Sequence, residues 1–270
     1  MPRTLLAPNP SPMTLDGTRT YLVGRVRPVV IDPGPDNPAH LDAIMDALQG
    51  HAPSLILLTH AHADHSAGAP ELARRTGASV AFGAGADGWP WWRGAQTREL
   101  SDGDTVETDE GVLRAVRTPG HAPEHLCFLL VDGPERGALL GGDLFMGGSD
   151  TTLVAPPEGD LSEYLASLDR VEALRPTVLY PAHGPPIPDA VAAIGRYRAH
   201  RAARIAQVEA ALADGPASPG ELIERVYGPE LNPALLGAAE GSLRAIVGHL
   251  TNLGRIRPAG AGRVQLRGSE

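Results

Sequence analysis

The chain has 270 residues, 42% of them hydrophobic and 20% charged. That composition excludes wholesale disorder and allows one large domain, or one of average size plus a small one. The formal net charge is −9 and all 23 basic residues are arginine. Residues 1–184 carry 13 Arg against 24 acids, a net of −11, whereas residues 185–270 carry 10 Arg against 8 acids, a net of +2. Such a split points to two parts with different partners. The single cysteine, Cys127, excludes an internal disulfide and fits a cytoplasmic setting. Residues 1–13 lack the apolar run of roughly 7–15 residues that a signal peptide needs. No run of about 18 apolar residues marks a membrane span.

Along the chain, Tyr21–Val23 and Val29–Ile31 read as neighbouring strands, the second ending at Asp32-Pro33-Gly34. Residues His40–Leu48 have helical spacing, with Leu41, Ile44, Met45 and Leu48 on one face. Leu55–Leu58 is a buried strand; Pro70–Thr76 is a helix and Val80–Phe82 a strand. Strands are expected around Val106, Val112-Leu113 and Val116, then at Leu126–Val131 and Ala138–Leu140. A helix at Leu161–Ala173 and a strand at Thr177–Tyr180 follow. This mixture argues for an α/β layered architecture. After Pro188 the pattern changes to one long helix, Ala190–Ala213. Ser218, Pro219 and Glu221 form a capping box at the next helix start. Leu235–Leu253 is helical, and Arg255–Arg257 with Arg263–Leu266 suggest a closing hairpin, so the last 55 or so residues read as a small winged-helix-like appendage. The division expected is 1–188, a connecting helix 189–214, and 215–270.

The chemistry concentrates in Thr59-His60-Ala61-His62-Ala63-Asp64-His65, directly after a buried strand. In an extended loop His60 and His62 point the same way, whereas Asp64 and His65 fall at a helix start and face elsewhere. One segment thus serves two neighbouring ions, and imidazole with carboxylate is the donor set Zn²⁺ favours without thiolates. His121, Asp143 and His183 each sit at a strand end beside glycine, which permits tight turns and close approach. Asp32 reads either as a carboxylate orienting a ligand histidine or as a turn cap. His125 is a candidate to contact the leaving group, or holds a structural hydrogen bond. His40, His51, His200 and His249 lie outside any pattern and read as surface residues. Trp89-Pro-Trp91-Trp92 is either a lid stacking on substrate or a packed loop, and Ser149, Thr151 and Thr152 could line the mouth of the site.

Taken together, H-x-H-x-D-H followed by His121, Asp143 and His183 resembles the metallo-β-lactamase superfamily. Asn9–Gly24 and Tyr180–Ile187, with the long helix and tail, resemble the lactamase-beta-like protein 2 family. The resemblance implies a four-layer αββα sandwich with a small C-terminal winged-helix-like α+β domain. It implies two Zn²⁺ ions, or Mn²⁺ or Fe in their place. His60, His62 and His121 would hold the first ion; Asp64, His65 and His183 the second; and Asp143 would bridge them. Asp64 also stands as a candidate proton relay. Asp at position 143, where the commonest zinc lactamases carry Cys, disfavours β-lactam hydrolysis. His62, where flavin-linked diiron relatives carry Glu, argues against oxygen reduction.

The implied activity is hydrolysis by a hydroxide bridging the two ions. The first substrate reading is single-stranded RNA, in endoribonuclease fashion. Arg196, Arg198, Arg201 and Arg204 would track phosphates along one helix, with Arg244, Arg255, Arg257, Arg263 and Arg267 beyond. The alternative is a thioester or other acyl hydrolase of the glyoxalase II or carrier-protein thioesterase type. A binding protein with a structural metal is the third. An arginine-lined groove would favour the first, a narrow apolar pocket the second; assembly into an oligomer is left open.

Overall fold

The computed structural model describes residues 2–85, 95–229 and 231–268; Trp89, Trp91 and Trp92 lie outside them. The first sheet has six strands: β1 (Arg3–Leu6), β2 (Arg19–Val23), β3 (Val29–Ile31), β4 (Leu55–Leu57), β5 (Val80–Gly83) and β6 (Thr97–Leu100), in spatial order. β1 to β3 pair antiparallel, and β3 to β6 pair parallel. The second sheet contains β7 (Thr105–Thr108), β8 (Gly111–Arg117), β9 (Leu126–Leu130), β10 (Ala138–Met146) and β11 (Val178–His183), ordered β11-β10-β9-β8-β7. Helices α1 (Pro38–Leu48), α2 (Ala63–Ser66) and α3 (Ala69–Thr76) follow strands of the first sheet, and α4 (Leu161–Leu174) precedes β11.

Alternation along the strands decides the layering. Tyr21, Val23, Ile31 and Leu57 meet Leu113, Phe128, Leu130 and Leu140 between the sheets. Their neighbours Leu22, Val30 and Ile56 face outward against Leu41 and Ile44 of α1 and Leu72 of α3. On the far face of the second sheet, Leu139 and Leu179 pack with Leu168 and Val171 of α4. The result is an αββα sandwich.

Two edge strands, β1 and β6, carry no sequence signal because their burial is slight: three of four β6 residues are exposed. Strand β10 outruns its apolar segment, continuing through Gly141-Gly142-Asp143 to Met146. Register breaks at Leu140/Gly142 and Gly142/Met146 against β11 turn this stretch toward the sandwich end. A hydrogen bond from Tyr21 Oη to the Pro181 carbonyl, 2.6 Å, ties the sheets together there.

Beyond β11 run α5 (Ala190–Ala213), α6 (Pro219–Tyr227), α7 (Leu236–Asn252) and the hairpin β12 (Ile256–Gly260) and β13 (Arg263–Leu266). The α6 capping box is present, with Ser218 and Glu221 exchanging hydrogen bonds. The apolar cluster under α4 continues without a break through Ile194, Tyr197 and Val208 of α5 to Leu243, Ile246 and Ile256. Among the described residues no helix is long and apolar enough to cross a membrane.

That continuity makes a measurable difference. Leu243→Ala, at a side chain 1% exposed, should cost roughly 2–5 kcal/mol. Urea denaturation should report it as a lower midpoint of one transition. A separate early transition would mean that the terminal helices unfold apart from the sandwich.

Candidate metal centre

The segments expected to carry ligands all leave the same end of the sandwich. The loop after β4 brings His60 and His62, α2 brings Asp64 and His65, and the turn after β8 brings His121; β10 and β11 bring Asp143 and His183. Two glycines make the approach possible. At Gly142, φ is +50°, and a Cβ would sit 2.6 Å from Thr59 Oγ1 and 2.7 Å from His125 Nε2. At Gly120, φ is +128°, and a Cβ would lie 2.3 Å from the Tyr164 backbone. No side chain fits either place.

All seven expected ligands come together. Ligand atoms of His60, His62 and His121, those of His60, His65 and Asp143, and those of Asp64, His65 and His183 each lie within 4.8 Å of one another. His62 Nδ1 is 2.9 Å from His60 Nε2 and 3.0 Å from His121 Nε2. His183 Nε2 is 3.2 Å from Asp143 Oδ1 and 3.3 Å from Asp64 Oδ2.

The outer nitrogen of each histidine fixes its ring. His65 Nδ1 donates to Asp32 Oδ2, 2.9 Å, and His62 Nε2 to Glu158 Oε2, 2.7 Å. His121 Nδ1 donates to the Leu153 carbonyl, 2.8 Å, and His183 Nδ1 to the Gly17 carbonyl, 3.2 Å. His60 Nδ1 donates to Thr59 Oγ1, 3.1 Å, because that hydroxyl spends its own proton on Asp32, 2.7 Å. With the outer protons so placed, the inner nitrogens of His60, His62 and His121 present bare lone pairs to one another, the arrangement of metal-ligating imidazoles. Two further atoms agree. His65 Nε2 and Asp143 Oδ1 are buried without a hydrogen-bond partner, 3.3 Å apart. Such groups are costly unless something charged lies between them.

The protein's own charges tell the same story. Burial pushes the His183 imidazole down, but Asp143 and Asp64 outweigh it and raise its pKa to about 9. Burial likewise opposes charge on His65, yet Asp64, Asp143 and Asp32 pull it well above the usual range. Burial would raise the Asp64 carboxyl, but His65 and His183 hold it well below the carboxylate range. His60, sunk among other imidazoles, is kept neutral by burial and by those neighbours. The spot attracts positive charge, and divalent cations would take the place of the protons on His65 and His183.

Asp32 has φ +49° and binds the Thr59 N–H, the Thr59 hydroxyl and His65 at once. It is an orienting carboxylate rather than a simple turn cap. His125 sits behind the centre. It is fully buried, its Nδ1 hydrogen-bonds Thr118 Oγ1 at 2.9 Å, and its Nε2 accepts the Asp143 N–H at 3.3 Å. Both nitrogens being used inside the protein, its side chain steadies the Asp143 backbone and does not reach a leaving group. Of the four unpatterned histidines, His51 is exposed as expected. His40 is instead buried against Thr20 Oγ1, 2.8 Å; His249 binds Ser162; and His200 lines a cavity. Glu158 and Glu124, the latter accepting the Ala61 N–H at 2.9 Å, carried no sequence signal. Only the fold brings them to the ligand loop.

Six of the nine arginines predicted to track phosphate are engaged elsewhere. Arg196 pairs with Asp150 at 2.8 Å, Arg198 with Asp169 and Glu172, Arg244 with Glu240, Arg255 with Glu209 and Arg263 with Glu221. Arg201 is 3% exposed, bonded to the Thr152 carbonyl and packed 5.0 Å from the Tyr164 ring centre. No arginine groove forms among them. Instead, a chamber of about 120 Å³ bounded by His62, Asp64, His121, Asp143 and His183 adjoins a larger cavity of about 340 Å³. Met13, Met146, Thr152 and Leu153 wall both.

Residues 13–183 match the metallo-beta-lactamase superfamily model. The chain is 38% identical over 238 residues to lactamase-like protein vrtG of Penicillium aethiopicum, covering 86% of this chain and 72% of that one. It is 36% identical over 208 residues to thioesterase pkgB of Emericella nidulans, covering 76% of this chain and 57% of that one. A metallo-beta-lactamase family protein of Thermus thermophilus, TTHA1429, superposes with a TM-score of 0.81 at 25% identity, over 98% of both chains. The chain belongs to the metallo-beta-lactamase superfamily.

Glu158→Gln keeps size but weakens the hold on His62. Zinc affinity should fall by roughly 10- to 100-fold with the circular dichroism spectrum unchanged. An unaltered affinity in a chelator competition would show that Glu158 does not position His62.

Proposed function

From membership of that superfamily we propose that this metal-dependent hydrolase is a thioesterase. The observation that carries the reading is the cavity next to the metal centre, walled on that side by Met13, Met146 and Leu153. An apolar wall suits an acyl chain better than a phosphodiester backbone. Ion pairs at five of the nine arginines weaken the argument for single-stranded RNA, and a relative bearing the name thioesterase supports the acyl reading.

In this reading His60, His62 and His121 would hold one divalent ion and Asp64, His65 and His183 a second, with Asp143 within reach of both groups; zinc suits this donor set. Ions so held would supply Lewis acidity and a hydroxide nucleophile at neutral pH. Asp32 and Glu158 keep the imidazoles aimed, and the methionine and leucine walls exclude water from the acyl side. A thiol has a pKa of about 8.5, so a thiolate departs without a strong acid. The retreat of His125 into the core is compatible with that leaving group. Asp64, its side chain 31% exposed and facing the chamber, meets an approaching water, but as a ligand held well below the carboxylate range it is a weak base, which counts against the proton-relay role. Residues 215–270, which we read as a winged-helix-like unit after the connecting helix 189–214, close the cavity instead of reading nucleic acid.

Zinc-loaded protein should hydrolyse acyl thioesters of N-acetylcysteamine and leave single-stranded RNA intact. Asp143→Ala should lose both ions and at least about 100-fold in rate, since it removes the shared ligand. RNA cleavage that disappears in Asp143→Ala, without thioester turnover, would sink the thioesterase reading and restore the phosphodiesterase.

A further inference from the structure

The larger cavity is not uniformly apolar. Three stretches far apart in sequence wall it: the loop at Pro12–Leu15, the segment after Met146, and the C-terminal helices with Leu235 and Ala238. Two polar side chains of α5, His200 and Arg204, break the lining. Helix α5 leads away from the metal centre in measurable steps. Tyr197 Oη hydrogen-bonds Met146, donating to its carbonyl at 2.9 Å and accepting its N–H at 2.6 Å. Arg201, about one turn on, holds the Thr152 carbonyl, and Arg204, about one further, lies 4.8 Å from the Tyr227 ring centre. His200 and Arg204 line the larger cavity and not the chamber of the ligands.

Both have unspent hydrogen-bonding capacity. Among the described residues His200 makes no hydrogen bond, and its Nδ1 is sealed from solvent. Burial and the neighbouring Arg201 and Arg204 keep that ring neutral, so its other nitrogen, Nε2, accepts from a hydroxyl or, as the other tautomer, donates to a ketone. Arg204 gives one N–H to Gln207 Oε1, 2.9 Å, and among the described residues it pairs with no carboxylate, unlike Arg196 and Arg198. A polar side chain covered by a ligand that offers it no partner loses its water without recompense, and a plain alkyl chain would do that to both.

We propose that this cavity holds the acyl part of the substrate, and that His200 and Arg204 select a chain bearing a ketone or hydroxyl over an alkyl chain of equal length. This deepens the thioesterase reading and rests on it for the identity of the substrate.

Binding of the free acids tests it without turnover. Calorimetry on the zinc-loaded full chain would compare octanoate with the positional series of oxo-octanoates. One oxo isomer should bind roughly three- to tenfold tighter than octanoate, the worth of one hydrogen bond. The quantity read is the ratio of the two affinities within one protein, so partly misfolded variant cancels out. His200→Leu should bring that ratio close to one, and Arg204→Leu should reduce it. Ala238→Leu, which fills space beside the chain, should weaken octanoate more than acetate. Equal affinity for octanoate and every oxo isomer, or a ratio untouched in both α5 variants, overturns the proposal. An oxo preference in a protein that hydrolyses no thioester upholds this ligand class and removes only the thioesterase reading. Thioester hydrolysis without the preference does the reverse.

Discussion

Bare nitrogen and carboxylate donors crowded into one buried spot repel each other, and in water they would separate and hydrate. Here they are held within hydrogen-bonding range of one another, His62 Nδ1 only 2.9 Å from His60 Nε2. The fold answers this constraint by giving each ring an outer partner. Those partners are drawn from every layer: Gly17 from the strand-to-strand entry, Asp32 from the end of β3, Leu153 from the segment that α5 pins, and Glu158 from the loop before α4. Much that looks like scaffold, including Arg201 on Thr152 and Tyr197 on Met146, acts at one remove on the orientation of an imidazole. The desolvation of the donors is tolerated because a cation, when present, more than compensates for it.

The cluster of candidate ligands was readable from the chain because it is local and ordered: four donors in six positions, then three more at strand ends marked by glycine. The sandwich was readable for a related reason, since buried strands such as β4 and β9 are continuous apolar runs. What stayed hidden depends on distance. Glu158 approaches His62 across 96 positions of sequence, and nothing near Glu158 marks it as special. The exposed edge strands β1 and β6 bury too little to leave a pattern. The extension of β10 through two glycines runs against strand propensity and comes from pairing with β11.

The arginine-rich C-terminal third shows how charge counts mislead. Its net charge of +2 suggested a surface for an anionic polymer. In the structure five of those ten arginines reach acids, several across element boundaries, as Arg198 does to Asp169 and Glu172 and Arg255 to Glu209. Exposed pairs of this kind contribute little stability individually, but they do consume the charge. The apolar faces of the same helices carry the energetics, joining α7 and the hairpin to the core under α4.

Most of the larger cavity's wall, the loop at Pro12–Leu15 and the C-terminal helices included, comes from segments that supply none of the seven candidate ligands. Mutations at Leu15, Leu235 or Ala238 can accumulate without touching the chemistry, so lineages that share this centre are free to diverge in what they process. Selection can then reshape one property of the protein while the other is inherited intact.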